Sequence, residues 1–488
     1  MAKVIFWLYR YWPLLILTLL AGFLRFYRLE TNLQFLGDQG RDALIIKRLL
    51  IDHDLPFIGP ITSVGNFYLG PLYYYLMAPF LWLFNFNPVG PAFATALIGV
   101  LTVPALYFVT QAMFSSRVAL IAAFLYAFGS VPVLQTRGAW NPNPMPIVAL
   151  GIIFSLYHLI IKRHYHWLSV LTICLAVALQ LHYIILFLAP FLLWQFIRYP
   201  QKSRVVRYLW LPLVIFLVLN LPLILFEIKN NFVNSKGLLY YFRSSGYVEF
   251  SLWQKIKDIT GRSETVIGMV LGFGEHYSLL RAWVTRLIGA GIIILLFKRP
   301  ARSTILLTQY LFISLLALVF YRGSVYPHYL GFLYPAVFML TALVLSKFTG
   351  KYLILAVLPV LFFLTTNLAS IKTDLLTNHG NLKSSVITAD RINQDIDKHG
   401  YPDFNLVLID DTHDYRAMGF RYFLELQGKK ALGVDNYKAA QAVYVISPYP
   451  QVDVTNIPVW EIKSTWPSRE TEKWEFKDSE NIYKIEPL

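Results

Sequence analysis

Residues 34–50 read QFLGDQGRDALIIKRLL. They follow directly on a long apolar run, and they bring Asp38, Arg41 and Asp42 together in five positions. Gly37 and Gly40 let the backbone bend there. Two carboxylates and a guanidinium beside a membrane-length segment ask a question of sidedness. Their meaning depends on which compartment they face and which other loops share it.

The rest of the chain answers in terms of a membrane. Of 488 residues, 56% are hydrophobic and 16% aromatic, a balance typical of polytopic membrane proteins and rare in soluble domains. The first apolar run, about Tyr11–Phe26, has Lys3 and Arg10 ahead of it and no small-x-small cleavage pattern after it, so it reads as an uncleaved anchor. Further runs centre near residues 101, 126, 153, 174, 191, 217, 289, 312, 338 and 360, giving roughly eleven crossings of 17–25 residues each. The lone Cys174 excludes an intrachain disulfide and a cysteine metal cluster. The net charge of +15 is that of cytoplasmic loops obeying the positive-inside rule, and nucleic acid is not an expected partner.

The connections come in two kinds that alternate. One kind is basic: Arg117, IKRHYH (161–166), RYPQKSRVVR (198–207), KRPAR (298–302) and SKFTGK (346–351). The other is polar and aromatic: RGAWNPNP (137–144), LQLHY (179–183), FEIKNNFVN (226–234) and YRGSVYPHY (321–329). Placing the basic kind inside satisfies the positive-inside rule at every turn. The run GPLYYYLMAPFLWLF (70–84) would invert this order if it crossed, so it is expected to be juxtamembrane or re-entrant. The predicted architecture is a polytopic α-helical membrane domain, residues 1–370, with a first outer loop at about 27–90. A small α/β domain outside the membrane follows, residues 371–488.

On the outer face, a helix starting near Asp38 would put Asp38 and Asp42 on one side, with Asp38 a plausible N-cap. Ala43, Leu44, Ile45, Leu49 and Leu50 would lie along the membrane surface. In the tail, VITADRINQDIDKHG and DYRAMGFRYFLELQG read as helices closed by Gly400 and Gly428, and FNLVLID and AVYVIS as strands. The tail has no phosphate-binding glycine loop or nucleophile motif, which points to a structural or interaction part.

An enzyme on such a face has no nucleotide pool, and the chain shows neither a GxGxxG fingerprint nor a Walker loop. Its activated group has to arrive on a lipid carrier such as a polyprenyl phosphate. Sugar transfer from that carrier needs a carboxylate to take the acceptor's proton, cations to hold the phosphate, and aromatic surfaces for the sugar. Asp38 is the candidate base, and Asp42 positions it or a cation. Arg25, Arg28, Arg41, Arg137, His182 and His328 are candidate phosphate partners. Tyr74 with its neighbours Tyr73 and Tyr75, and Trp140, Tyr183, Tyr326 and Tyr329, are candidate walls of the site, and Asn141 and Glu227 are further candidate substrate contacts. Plainer readings stand beside these: Asn141 and Asn143 as turn formers, Glu227 as an ion-pair partner of Lys229, Arg137 as a snorkelling cation. No spacing defines a metal site, and a divalent cation shared by Asp38 and Asp42 stays an alternative.

The chain resembles the membrane glycosyltransferases of the GT-C fold, in particular the bacterial family 39 group related to protein O-mannosyltransferases and aminoarabinose transferase. The resemblance rests on GDQGRD after the first span, the arginine opening QTRGAWNPNP, LQLHY at a span end, and HYLGFLYP at 328–335, over roughly residues 10–370. It implies a catalytic aspartate at Asp38, a polyprenyl-phosphate sugar donor, a lipid, glycan or protein acceptor, an inverting transfer, and a plasma-membrane enzyme acting on the outer face. Two positions depart from the pattern: Gln39 where an acidic residue is common, and Asn141 where an aspartate often stands. The competing readings are a flippase or transporter of lipid-linked glycans and an O-antigen-type polymerase or ligase. A transporter would carry ionisable groups at mid-membrane and internal repeats, and neither is visible here.

Overall fold

A backbone that enters hydrocarbon has to close its own hydrogen bonds, and the apolar runs do so as helices. The computed structural model describes residues 2–62, 67–198, 206–243, 252–273, 278–321, 325–377, 380–476 and 480–488. Its residues pack as two units. One comprises Met1–Tyr27, Pro56–Leu76 and Ala92–Leu376, and the other Arg28–Leu55, Met77–Pro91 and Thr377–Leu488. In the second unit, Arg28–Leu55 and Met77–Pro91 pack with Thr377–Leu488.

The first unit is helical. Val89–Met113 and Gly350–Leu376 are long and apolar enough to cross a membrane, and Trp210–Leu219 with Leu221–Lys229 makes a third candidate bent by 65°. Other apolar runs are shorter as helices than the sequence suggested, because they are interrupted. Met145–Leu156 continues as a π turn, Tyr157–Ile161, and a 3-10 turn, Tyr183–Leu188, precedes Ala189–Arg198. The segment Leu72–Leu83 is a helix of 12 residues, roughly 18 Å at 1.5 Å per residue and short of a bilayer core. Leu353, Ile354, Leu355, Leu358 and Leu361 are all exposed, and a face that apolar suits acyl chains rather than water. Within the unit, Met145–Leu156 packs on Trp167–Leu181, and Ser116–Phe128 packs on Tyr334–Leu345.

One buried amide organises the interior. The helix Ser116–Phe128 breaks at Gly129, and the next begins at Ser130. Asn367 is fully buried, and its Oδ1 accepts from the Ser130 N–H (2.6 Å) and the Ser130 hydroxyl (2.8 Å). Its Nδ2 donates to the carbonyls of Leu271 (3.0 Å) and Phe363 (2.9 Å). Gly272 has φ +79°, and a Cβ there would stand 1.9 Å from Asn367 Oδ1. The break is therefore satisfied by one side chain that reaches three segments.

The second unit is built on a four-stranded sheet of order β1-β2-β4-β3, with β1 Phe404–Leu408, β2 Ala442–Ser447, β3 Ser468–Trp474 and β4 Asn481–Pro487. β1 and β2 are parallel, and β4 is antiparallel to both β2 and β3. The helix Leu382–His399 ends at Gly400 (φ 69°), as its sequence indicated. The second helix spans Met418–Leu426, starting later than DYRAMG suggested because its N-cap is Ala417 in a left-handed conformation (φ 52°), and the Met418 N–H donates to Asp414 Oδ2 (3.1 Å). Lys484 is 1% exposed and donates to Asp395 (3.2 Å) and Glu472 (3.0 Å), joining the Leu382 helix to β3 and β4.

Asn367→Leu keeps the volume but strands the Ser130 N–H and hydroxyl and the Leu271 carbonyl. It is expected to cost about 2–4 kcal/mol, read as a lower melting temperature of the detergent-solubilised protein. Ser130→Ala should cost clearly less, and equal losses would contradict the role given to Asn367.

Candidate active site

The helix carrying the first acidic motif spans Gly37–Ile51, and its N-cap is Leu36. Asp38 is therefore inside the first turn, a correction to its reading as N-cap. The cap is made by Gln39, whose Oε1 accepts from the Leu36 N–H (3.2 Å). Asp38 faces Arg41 instead: Arg41 Nη1 donates to Asp38 Oδ1 (2.7 Å), while Arg41 Nε and Nη2 donate to Asp42 Oδ1 (2.9 and 2.8 Å). One guanidinium thus bridges both carboxylates. The side chain of Asp38 is 45% exposed and that of Asp42 4% exposed, so only Asp38 is open to a substrate.

Of the residues expected to lie along a membrane surface, Ala43 and Leu44 are instead enclosed by protein, while Ile45, Leu49 and Leu50 are half-buried. Ala43, Leu44 and Ile46 are buried, and the helix packs on Met418–Leu426. The cause is a glycine contact: a Cβ on Gly40 would stand 2.4 Å from the Gly419 amide nitrogen. Arg48 clamps Glu425 with two bonds, 3.0 and 2.8 Å, and Lys47 lies 3.5 Å from the same carboxylate. The chain before the helix is held too. The Phe35 N–H donates to Asn381 Oδ1 (2.7 Å), and the Phe35 ring packs on Tyr422 and Phe423.

Two carboxyls around this helix are shifted in opposite senses. Burial raises the Asp414 carboxyl to about 6, with the nearby charges of Asp410 and Asp38 adding to the rise against the Met418 N–H bond. Gly37 makes room for it, since a Cβ there would stand 2.4 Å from Asp414 Cγ. Burial works against ionisation of Glu425 as well, but Arg48 and Lys47 outweigh it and hold that carboxyl below its ordinary value.

In the helical unit, the polar connections meet at one end. Asn141 Nδ2 donates to the Leu181 carbonyl (2.6 Å). The Trp140 and His328 rings are 4.3 Å apart, and those of His182 and Tyr329 are 4.4 Å apart. The Tyr183 hydroxyl donates to the Tyr68 carbonyl (2.7 Å), and Asn234 also binds Tyr68. His182 Nδ1 accepts from the Ile184 N–H (3.1 Å), so its neutral ring carries the proton on Nε2. The basic connections meet elsewhere: Arg163, Arg198 and Arg302 line one cavity, and Arg117 binds the Phe348 carbonyl (2.9 Å). Residues 199–205 of the basic loop lie outside the described residues.

Several candidates are engaged as framework. Arg25 is fully buried and bonds Thr136 Oγ1 (3.1 Å) and the Ala21 carbonyl (3.2 Å), which leaves it no surface for a ligand. Arg137 is 6% exposed, and its Nη1 caps the first helix through the carbonyls of Leu24, Arg25 and Tyr27, with Asp374 3.8 Å from Nε. Glu227 does not pair with Lys229 but accepts from the N–H groups of Asn234 (2.8 Å) and Ser235 (2.9 Å) at a helix start. Tyr74 is enclosed at 1% exposure, and Arg28 donates to Thr31 Oγ1 (3.3 Å). Asp414 is the residue that sequence reading missed; a lone aspartate in a loop gives no signal until the fold sets it against Gly37. Asp395, His399 and Glu472 bring ligand atoms within 4.8 Å of one another, but the Lys484 ammonium already sits on two of these side chains.

Residues 69–226 match the Dolichyl-phosphate-mannose-protein mannosyltransferase family. The solved structures similar to this chain include ArnT from Cupriavidus metallidurans in the apo state. The TM-score is 0.64 and the identity 13%, with 97% of each chain covered. The same protein bound to undecaprenyl phosphate gives 0.64 at 12% identity, covering 97% of this chain and 98% of that one. The archaeal oligosaccharyltransferase AglB from Archaeoglobus fulgidus, in complex with an inhibitory peptide and a dolichol-phosphate, gives 0.54 at 14% identity, covering 90% of this chain and 70% of that one. A search of curated proteins returns no match. The fold is GT-C, of the ArnT type, and the protein is membrane-embedded.

The opposite shifts of the two carboxyls fix a pH response. Glu425, lowered from 4.5, contributes stability that is present above that value and lost as pH falls below it. Asp414, raised from 3.8 to about 6, favours folding below 3.8, and that contribution is lost as pH rises through about 6. Asp414→Asn should therefore raise the melting temperature at pH 7 relative to the parent and leave it nearly unchanged at pH 4. An offset independent of pH would refute the assignment.

Proposed function

We propose that this protein is a membrane glycosyltransferase that moves a sugar from a polyprenyl-phosphate donor to an acceptor hydroxyl on the extracytoplasmic side of the plasma membrane. The observation that carries the reading is the Asp38–Arg41–Asp42 constellation: one exposed carboxylate held by an arginine that a buried carboxylate fixes from behind. The GT-C fold and the family match over residues 69–226 support it.

In the reaction, Asp38 accepts the proton of the acceptor hydroxyl as that oxygen bonds to the anomeric carbon. The anomeric carbon–oxygen bond to phosphate breaks, and the electron pair leaves with the polyprenyl phosphate. Attack opposite the leaving group inverts the anomeric centre. Asp42 and Arg41 are positioning residues, since the former is enclosed and the latter is spent on both carboxylates. His182, His328 and Tyr329, with Trp140 and Tyr183, offer the donors and ring faces that suit a phosphorylated sugar. Arg25 is left out of the substrate contacts because it is enclosed, and Arg137 and Asn141 are read as supports of this region.

In membranes supplied with a radiolabelled polyprenyl-phosphate sugar, Asp38→Asn should lower kcat by about 10²–10⁴-fold with little change in donor KM. A folded Asp38→Asn variant that still transfers sugar would remove Asp38 from the mechanism, and lipid-linked sugar crossing the bilayer with no glycosidic bond formed would replace transfer with transport. His328→Ala should act mainly on donor KM.

A further inference from the structure

Three arginines from three different basic connections line one cavity of about 250 Å³ in the helical unit. Arg163 belongs to the 161–166 loop, Arg198 to the end of Ala189–Arg198, and Arg302 to the start of Arg302–Leu318. They are separated by 35 and 104 positions in sequence, so only the fold brings them together. Among the described lining residues the cavity has three guanidiniums and no carboxylate. Arg163 holds a left-handed backbone (φ 62°), a conformation that a residue with a side chain seldom takes unless its surroundings impose it.

The remaining walls divide by chemistry. Gln195 and Gln309 face the cavity and bond each other (2.8 Å), which makes a neutral polar wall. Ile160, Ile161, Ile305 and Leu306 supply an apolar floor. The apolar surface continues outward, because Leu193 and Ile197 on the helix that carries Arg198 are exposed. Arg198 lies over the Trp194 ring at 5.1 Å, so it is held at the rim.

A planar guanidinium suits a phosphate ester, three of them around one cavity suit an anionic one, and the apolar floor suits the first carbons of an acyl chain. We propose that this cavity binds the phosphate headgroup of an anionic glycerophospholipid, at the end of the helical unit that carries the basic loops. Basic pockets between membrane helices are general sites for such headgroups. The cavity shares no lining residue with the Asp38–Arg41–Asp42 constellation, and the proposal is independent of the transfer chemistry. It gives Arg163, Arg198 and Arg302 a shared ligand where a free phosphate would leave the isoleucine floor unused.

The full chain in detergent is titrated with short-chain phosphatidylglycerol, short-chain phosphatidylcholine and glycerol phosphate, and occupancy is read by native mass spectrometry. Phosphatidylglycerol should bind at least about tenfold more tightly than the other two probes. The variant Arg163→Gln/Arg198→Gln/Arg302→Gln should lose about a hundredfold in that affinity, at roughly fivefold per cation. Lys298→Gln/Arg299→Gln, which changes the same basic surface outside the lining, should lose less than about threefold by the same reasoning. If the triple variant does not fold, Arg302→Gln alone, at an exposed helix start, should lose about fivefold. Wild-type affinity in a folded cavity variant, an equal loss in the control, or glycerol phosphate binding as tightly as the lipid would each overturn the proposal.

Discussion

Hydrocarbon tolerates neither an unpaired peptide group nor an unpaired charge, and the helical unit is arranged around that exclusion. Its interior closes backbone breaks with amides and hydroxyls: Asn367 serves the break at Gly129–Ser130, and Arg25 and Arg137 are turned onto carbonyls and Thr136. Polar and basic connections gather in separate clusters. The loops at 137–144, 179–183 and 321–329 touch one another through Trp140, Asn141, His182, His328 and Tyr329. Arg163, Arg198 and Arg302, one from each of three basic connections, line one cavity. Connections far apart in the sequence are in this way brought into two clusters of different chemistry.

The second unit settles how a carboxylate beside a membrane can be held still. An amphipathic helix resting on lipid moves with the lipid, and catalytic positioning requires a group to be fixed within a fraction of an ångström. The Gly37–Ile51 helix is mounted on protein instead, through the Gly40–Gly419 approach, the bidentate Arg48–Glu425 pair and the Asp414 carboxyl seated against Gly37. The tail is then more than an appendage. It is the body to which the candidate base is attached, and its own interior is locked by Lys484 between Asp395 and Glu472.

Much of this was legible in sequence where the signal is periodic or compositional. The apolar runs, the alternation of loop types, the glycines that end the Leu382 and Met418 helices, and strands β1 and β2 all announce themselves. Strands β3 and β4 do not, because SRETEKW and NIYKIEP carry charges that a strand with a solvated or ion-paired face accepts and that composition assigns to loops. The helix at Gly37 was legible, but its apolar face was assigned to lipid: a face that fits a membrane fits a protein helix equally well, and only the partner decides. Arg25 and Arg137 looked like ligand cations for a similar reason. Sequence shows that a guanidinium stands at the end of a span, while partners that take up its donors include carbonyls more than a hundred residues away, Ala127 for Arg25 and Arg25 for Arg137.

Gln39 shows how a departure from a family pattern can be read as physics. An acidic residue at that position would add a third carboxylate to a turn that has one guanidinium to share between Asp38 and Asp42. The neutral amide does what a carboxylate would do for the helix start, accepting the Leu36 N–H, without adding charge beside Asp38. Asp414 lies close by, and the field of Asp38 helps hold its carboxyl near 6. A further anion in this turn would compete for the one guanidinium and add to the field that already raises the Asp414 carboxyl. The amide at position 39 thus leaves Asp38 the one exposed carboxylate of this turn, beside Arg41 and the buried Asp42.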